Sequence, residues 1–271
     1  MVKIGKIEFP SILLGSSPFF GLDPQFPSEK AKVYQKKFLN PQAMIDIMKE
    51  AVTIGIKGFS MTAPNALEHI LREQPLKDKG IIFTGINPPI IESLLQVEKE
   101  LKIRVPCVST VFDEESIQLV SRLDNRIMVT DGAITDKLDM PKLLDLADRV
   151  TELGLEFGIA THHAGRTIPR LEKKKEFWKR VSVVLCPVNK IGYYMYPTQE
   201  AALKAIENID KDIIATKVFA GGRLPVKEGL SYISEIKKEG KIPAVKSLAL
   251  GVASPEETRE TFTLAKKVWK E

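Results

Sequence analysis

The side chains of this sequence best suited to chemistry are a carboxylate, a pair of histidines and a lysine, each at the end of a short apolar run. Asp131 follows Ile127-Met128-Val129-Thr130, His162 and His163 follow Gly158-Ile159-Ala160-Thr161, and Lys217 follows Ile213-Ile214-Ala215-Thr216. A carboxylate or an imidazole can exchange protons with a substrate near neutral pH when its surroundings tune it. A lysine set partly into an apolar mouth can lose its proton and attack a carbonyl as the free amine, which would suit a Schiff-base lyase or a proton-transfer step. The same lysine equally suits an ion pair with Asp131 or with an anionic ligand. Neighbouring residues of an extended chain point to opposite sides, so only one histidine of the pair, read here as His162, would enter a shared cavity. A mononuclear metal site from one histidine, Asp131 and Asp113 is a further alternative, but no His-x-His or His-Glu-x-x-His spacing supports it. His69 reads as a surface or packing histidine of a helix.

These groups act together only if the fold brings the ends of their strands to one place. Short runs rich in β-branched residues alternate with amphipathic segments, the pattern of a parallel sheet covered by helices. Candidate strands lie near Ile12–Gly15, Lys57–Met61, Ile81–Thr84, Val105–Thr110, Ile127–Asp131, Phe157–Thr161, Val183–Pro187, Ile213–Lys217 and Ser247–Gly251. A (β/α)8 TIM barrel needs one fewer. The surplus would be an N-terminal piece plugging the barrel bottom, or one of the two candidates between residues 80 and 110 lying outside the ring. A doubly wound open sheet is the competing architecture, but no Gly-x-Gly-x-x-Gly turn follows the first strand. In a barrel, Ser16, Ser17, Thr62, Thr84, Asn87, Ser109, Thr110, Asn189 and Lys190 would join Asp131, His162, His163 and Lys217 at the mouth.

Helix ends are marked by capping chemistry. Asn40 precedes Pro41 and a stripe of Met44, Ile47, Met48 and Ala51, and Ser254-Pro255-Glu256-Glu257 forms a capping box before Phe262, Ala265 and Trp269. Ser17–Leu39 is long for a βα connection. Its apolar Pro18-Phe19-Phe20-Gly21 and Pro24-Gln25-Phe26-Pro27 would form a lid over the mouth. Asn189–Pro197 carries Tyr193, Tyr194 and Tyr196, which would line a substrate pocket. The same aromatic patches equally suit a homo-oligomer interface, or a non-catalytic barrel that binds a small molecule or a protein through Phe19, Phe20 and the tyrosines.

With 271 residues, 44% hydrophobic and 28% charged, the chain is read as one TIM-barrel domain over residues 1–271. Its net charge of +5 is spread over interleaved Lys and Glu, as in Arg170–Glu176, which describes a solvated helix face rather than a nucleic-acid surface. The apolar run Ser182–Val188 is far short of the roughly 20 residues that span a bilayer, so no membrane partner is expected. Met1–Lys6 has no signal-peptide character, and Cys107 and Cys186 sit in apolar runs, so a reduced, cytoplasmic location is expected. Abundant Lys and Glu with few cysteines are compatible with a heat-adapted, thermostable protein.

From about Leu155 onward the chain resembles the aldo-keto reductase superfamily. Gly251-Val252-Ala253-Ser254-Pro255-Glu256-Glu257-Thr258-Arg259-Glu260-Thr261 is similar to that family's last strand, cofactor loop and helix start. Phe219-Ala220-Gly221-Gly222-Arg223-Leu224 is similar to its glycine-bearing loop, Val183–Asn189 to the strand before it, and Gly158–Thr161 to the strand before that. The resemblance implies a barrel in which Gly221, Gly222 and Ser254 would lie beside a nucleotide pyrophosphate and Glu260 would contact adenine. As a helix cap, Ser254 needs no ligand. The family's Asp, Tyr, Lys and His tetrad is absent: Met61 stands at the Asp position with no tyrosine in the next turn, Gly85 lies near the Lys position, and Thr130 or Asp131 near the His position. Ala160-Thr161 and Leu185 replace the side chains that hold the nicotinamide amide. Glu257 would repel an adenosine 2′-phosphate, so a bound nucleotide would be NAD rather than NADP. The expectation is therefore a diverged barrel acting on a small polar or phosphorylated carbonyl compound by acid–base chemistry, as an oxidoreductase-like or lyase-type enzyme. The alternatives are a non-catalytic binding barrel and a mononuclear metal-dependent lyase or hydrolase.

Overall fold

A computed structural model of the chain describes residues 1–21, 29–63, 65 and 89–269. Its centre is a closed ring of parallel strands: β3 (Ile12–Gly15), β4 (Phe59–Thr62), β5 (Cys107–Val111), β6 (Asn125–Thr130), β7 (Glu156–Ala160), β8 (Val183–Pro187), β9 (Asp212–Thr216) and β10 (Val245–Gly251). They pair in chain order, and β10 closes on β3 with Leu248 opposite Ile12 and Gly251 opposite Gly15. This is the expected (β/α)8 barrel. The surplus candidate Ile81–Thr84 lies outside the described residues, and the ring closes without it because β4 pairs directly with β5, Phe59 opposite Cys107 and Thr62 opposite Thr110.

The plug is a hairpin upstream of every candidate strand, β1 (Val2–Ile4) against β2 (Ile7–Phe9). Its Ile4 and Phe9 are fully buried with Leu13, Val108, Ile127, Val129, Val183, Leu185, Ile214 and Ala249, the inward side chains of the ring. The hairpin turn is fastened to the bottom of the barrel by carboxylates at the first residues of two strands. Gly5 N–H donates to Asp212 Oδ2 (2.9 Å) and Lys6 N–H to Glu156 Oε1 (3.1 Å). The outward neighbours, such as Ile12, Leu14, Met128, Val184, Ile213 and Leu250, belong to a second core under the helices. Both strand faces are thus buried, which explains why the runs read as continuously apolar rather than alternating.

The described helices are α1 (Glu29–Phe38), α2 (Pro41–Thr53), α3 (Ile90–Leu101), α4 (Glu114–Val120), α5 (Gly132–Thr135), α6 (Met140–Glu152), α7 (Ala164–Leu171), α8 (Lys175–Trp178), α9 (Gln199–Asn208), α10 (Val226–Lys238) and α11 (Pro255–Val268). Asn40 caps α2 by accepting from Gln42 N–H (3.1 Å), and Met44, Ile47, Met48 and Ala51 are buried as the spacing predicts. Ser254 caps α11 by accepting from Glu257 N–H (3.1 Å). The Glu257 carboxylate reaches back to Ala253 N–H (2.7 Å), one residue before the cap itself.

Two expectations for the first βα connection are corrected. Ser17–Phe20 is a 3-10 turn whose Phe19 packs on Phe38 and Phe59, with ring centroids 4.9 and 6.4 Å apart. Phe19 and Phe20 are buried, so they form neither a lid surface nor a docking patch, because their apolar area is already spent on the helix layer. Pro24–Pro27 lies outside the described residues.

Gly158 shows how tightly the ring is packed at β7. A Cβ there would lie 2.5 Å from the Val183 carbonyl oxygen and 2.8 Å from Val129 Cγ1. Gly158→Ala is therefore expected to cost about 1–3 kcal/mol or more by overpacking. In urea unfolding its midpoint should fall with the slope unchanged, and an unchanged midpoint would contradict this packing.

Candidate active site at the barrel mouth

The strand alternation that turns Ile127 and Val129 inward, continued by one step, brings Asp131 to the inner side of the mouth; after β7 the same step brings His162 there. Asp131 begins α5, and its carboxylate accepts from Ala133 N–H (2.8 Å). Burial raises its pKa above the usual carboxylate range; the Ala133 N–H opposes this, nearby Asp136 adds to it, and Lys217 lowers it. His162 is pushed down to about 3, mainly by burial and then by the charges of Lys217 and His163. Its imidazole is accordingly neutral at physiological pH.

Lys217 and His162 meet at one aromatic ring. The Lys217 ammonium lies 4.9 Å from the Tyr194 ring centroid, and the His162 ring lies 4.8 Å from the same ring on centroids. Tyr194 comes from the segment after β8, which is braced from within. Asn189, fully buried, donates from Nδ2 to the Tyr193 carbonyl (2.8 Å) and accepts the Tyr193 N–H at Oδ1 (2.8 Å). Tyr196 N–H donates to the His162 carbonyl (3.2 Å), tying this segment to the exit of β7. Arg223 stacks on Tyr193 at 4.2 Å and donates from Nη1 to the Ala220 carbonyl (3.1 Å). Tyr194 and Lys217 both adopt left-handed backbone, with φ of 58° and 51°. Non-glycine residues in that region cost of order 1–3 kcal/mol each and cluster where geometry serves function.

The structure brings His162, Lys217 and Tyr194 together, with Asp131 near enough to Lys217 to feel its charge, and separates other expected members. His163 turns away, with Nδ1 2.7 Å from Arg166 Nη2 and its ring against Tyr196. Lys190 is ion-paired with Glu228 (2.6 Å). Ser16 Oγ accepts from Thr62 N–H (2.9 Å), and Thr110 Oγ1 from Ala63 N–H (3.4 Å), joining the first strand ends. Ser109 bonds to Asn125 at the start of β6, far from the mouth, because its position in β5 faces outward. Asp113 caps α4 by accepting from Ser116 N–H (2.9 Å). Among the described residues no three His, Cys, Asp or Glu side chains group closely enough to hold a metal ion, so Asp113, Asp131 and His162 do not assemble. Thr84, Gly85, Asn87 and His69 lie outside the described residues. Burial raises the pKa of both cysteines, Cys186 to about 12, which keeps them as thiols.

Spacing alone did not single out Asp136. Its carboxylate accepts from the hydroxyls of Thr161 and Thr167 and from His162 N–H (2.9 Å). A carboxylate one helical turn beyond the candidate Asp131 was the available signal.

Where the resemblance would set a cofactor, Gly221 and Gly222 have φ of 67° and 84° in the turn after β9, Ser254 is the α11 cap, and Glu260 is exposed on that helix. Lys37 of α1 donates to the Ala253 carbonyl (2.6 Å). The residues at the nicotinamide end do not fit that group: Ala160 has no polar side chain, the Thr161 hydroxyl is given to Asp136, Leu185 is part of the inner core, and Met61 is packed under the helices. These side chains leave a nicotinamide without the hydrogen bonds that would orient it for hydride transfer.

The His162 environment has a consequence for stability. Below its ordinary value of 6.5 the unfolded chain takes up a proton that the folded chain refuses until about pH 3. Stability therefore falls as pH drops through that window, by up to about 1.4 kcal/mol per pH unit. Asp131 acts in the opposite sense, because its raised folded pKa gives stability that is lost as pH rises through it. The stability difference between wild type and His162→Gln isolates the histidine. It should grow in favour of wild type from pH 4 to pH 6.5, and a flat difference would contradict a half-buried imidazole held neutral by its surroundings.

No protein-family model matches the sequence, and no curated protein matches it. Solved structures sharing its fold include a candidate aldo-keto reductase of Pseudomonas aeruginosa, 14% identical over 96% of this chain and 90% of that one, with a TM-score of 0.56. An aldo/keto reductase of Brucella melitensis is 12% identical over 96% and 91%, TM-score 0.53. The N-acetylneuraminic acid synthetase of Leptospira borgpetersenii is 14% identical over 98% and 86%, also at 0.53. The chain thus shares its barrel fold with aldo-keto reductases and equally with an N-acetylneuraminic acid synthetase.

Proposed function

We propose that this barrel is an enzyme acting on a small polar or phosphorylated carbonyl compound, with Lys217, Asp131 and His162 as its reacting set. The observation that carries the reading is the convergence of Lys217 and His162 on Tyr194, with Asp131 close enough to exchange electrostatic influence with Lys217. The environments divide the roles. A carboxyl whose charged form is disfavoured is suited to hold and deliver a proton. A neutral imidazole of very low basicity is a poor proton acceptor but a sound hydrogen-bonding group for a carbonyl oxygen. The lysine is the nucleophile or the cation that faces the developing charge. In the nucleophilic form, the Lys217 ammonium first gives a proton to solvent, and its amine adds to the carbonyl carbon while the oxygen takes the proton of Asp131. The resulting Asp131 carboxylate takes a proton from the nitrogen and delivers it to the hydroxyl, which leaves as water from a protonated imine paired with the carboxylate.

The left-handed backbone of Lys217 and Tyr194 supports this reading, because strain at two touching residues is retained where it fixes a geometry. The non-catalytic alternative loses Phe19 and Phe20, which are buried, and keeps only the tyrosines. No helix among the described residues is long and apolar enough to cross a membrane.

Borohydride reduction in the presence of small aldehydes, ketones and sugar phosphates, followed by peptide mass spectrometry, should place a stable adduct on Lys217. Lys217→Gln should abolish it, and Asp131→Asn should slow its formation. Binding without any adduct would remove the imine step. In a thermal-shift panel a ligand at about 100 times its Kd stabilises by about 2.7 kcal/mol. Polar carbonyl compounds are expected to shift the transition, and NAD and NADP to leave it unmoved; a shift with NAD would overturn the misfit at the nicotinamide end.

A further inference from the structure

We propose that Asp136 is a positioning residue which, with the bare Cα of Gly132, turns His162 rather than His163 into the reacting site. The proposal rests on the functional reading of His162 given above, but its geometry does not depend on the substrate. The Asp136 carboxylate gathers three donors from the exit of β7 and the first turns of α7: the Thr161 hydroxyl, the His162 N–H (2.9 Å) and the Thr167 hydroxyl (2.8 Å). The Thr161 hydroxyl oxygen in turn accepts the His163 N–H (3.0 Å). The peptide groups of both histidines are therefore held by one carboxylate, directly or through one hydroxyl. Charge-assisted bonds of this kind are stronger than neutral ones, and Thr161 and Thr167 are buried, where water competes least.

The orientation of each ring has its own cause. A Cβ on Gly132 would lie 3.0 Å from His162 Nδ1 and 3.3 Å from Cε1, so the imidazole rests on the glycine face and any side chain there would displace it. His163 is drawn the other way. Arg166 Nη2 donates to the Asp136 carbonyl (2.9 Å) and lies 2.7 Å from His163 Nδ1, which fastens that ring outside. Gly132 and Asp136 sit at the two ends of α5, joined by the Asp136 N–H to the Gly132 carbonyl (2.9 Å). The helix that Asp131 caps thus also sets His162, so acid and imidazole are placed by one rigid piece of backbone. Such second contacts are what hold reacting groups in register.

The test reads His162 itself, by ¹⁵N imidazole spectra against pH and by its rate of acylation with diethyl pyrocarbonate relative to His163. In wild type His162 should stay neutral through pH 5 and react more slowly than His163. Asp136→Asn cannot accept all three donors, and Gly132→Ala pushes the ring away. Gly132→Ala, which changes no charge, should raise the His162 midpoint, and both variants should bring the acylation of His162 toward that of His163. Asp136→Asn also removes a negative charge, which alone lowers the midpoint, so its readout is the acylation rate. Thr167→Ser keeps the hydroxyl and should match wild type, whereas Thr167→Val should follow Asp136→Asn in the same direction. If Asp136→Asn does not fold, Gly132→Ala and the Thr167 pair carry the comparison. Folded variants of Gly132 and Asp136 with wild-type His162 spectra and acylation would overturn the proposal. Because no substrate is needed, a failure of Lys217 trapping would count against the functional reading alone.

Discussion

Closure of β10 on β3 is the constraint from which the rest follows. Once the ring is closed, each strand must alternate its side chains between an inner core and a helix-covered outer one, and every strand must end on the same side. The hairpin of Val2–Phe9 seals the opposite side, where Asp212 and Glu156 are used to hold its turn, and the candidate reacting groups collect at the top. Ile127, Val129 and Asp131 then form one inward series, and Gly158, Ala160 and His162 the next. A one-residue slip in either strand would send Asp131 or His162 into the outer layer and bring Thr130 or Thr161 to the mouth.

Within that frame the electrostatics follow from burial. Asp131 and His162 are displaced in opposite directions, but both displacements favour the neutral form, as desolvation requires. A neutral imidazole and a carboxyl whose charged form is disfavoured therefore lie near a lysine held over a tyrosine ring. The aldo-keto reductase tetrad is not matched: a packed Met61 stands where the resemblance puts its Asp, and Thr161, at the nicotinamide end, gives its hydroxyl to Asp136. The fold is shared with those reductases, and the fold alone does not carry their chemistry to this mouth.

Much of this was legible in the sequence. Apolar runs of strand length punctuated by capped helices outlined each strand of the ring, because parallel strands buried on both faces leave a strong compositional signal. Asp131, His162 and Lys217 were identifiable because each closes such a run. An N-terminal plug was among the expectations, but its form as a hairpin was not legible, since two three-residue strands around Gly5-Lys6 fall below any periodicity. Phe19 and Phe20 misled because an apolar pair in a long connection reads alike whether it covers a ligand or fills a gap between helices. Asp136 was overlooked because its role is set by three donors from residues 25 or more positions away, which only the packed barrel brings within reach.

The central claim is that Lys217 and His162 occupy one electrostatic environment at the mouth. It is tested most directly by following the His162 imidazole by ¹⁵N spectroscopy through an acid titration in wild type and in Lys217→Gln. Removing the ammonium removes one of the influences that hold the imidazole neutral, so the account predicts a His162 midpoint shifted upward in the variant. A midpoint unchanged in a folded Lys217→Gln protein would contradict it.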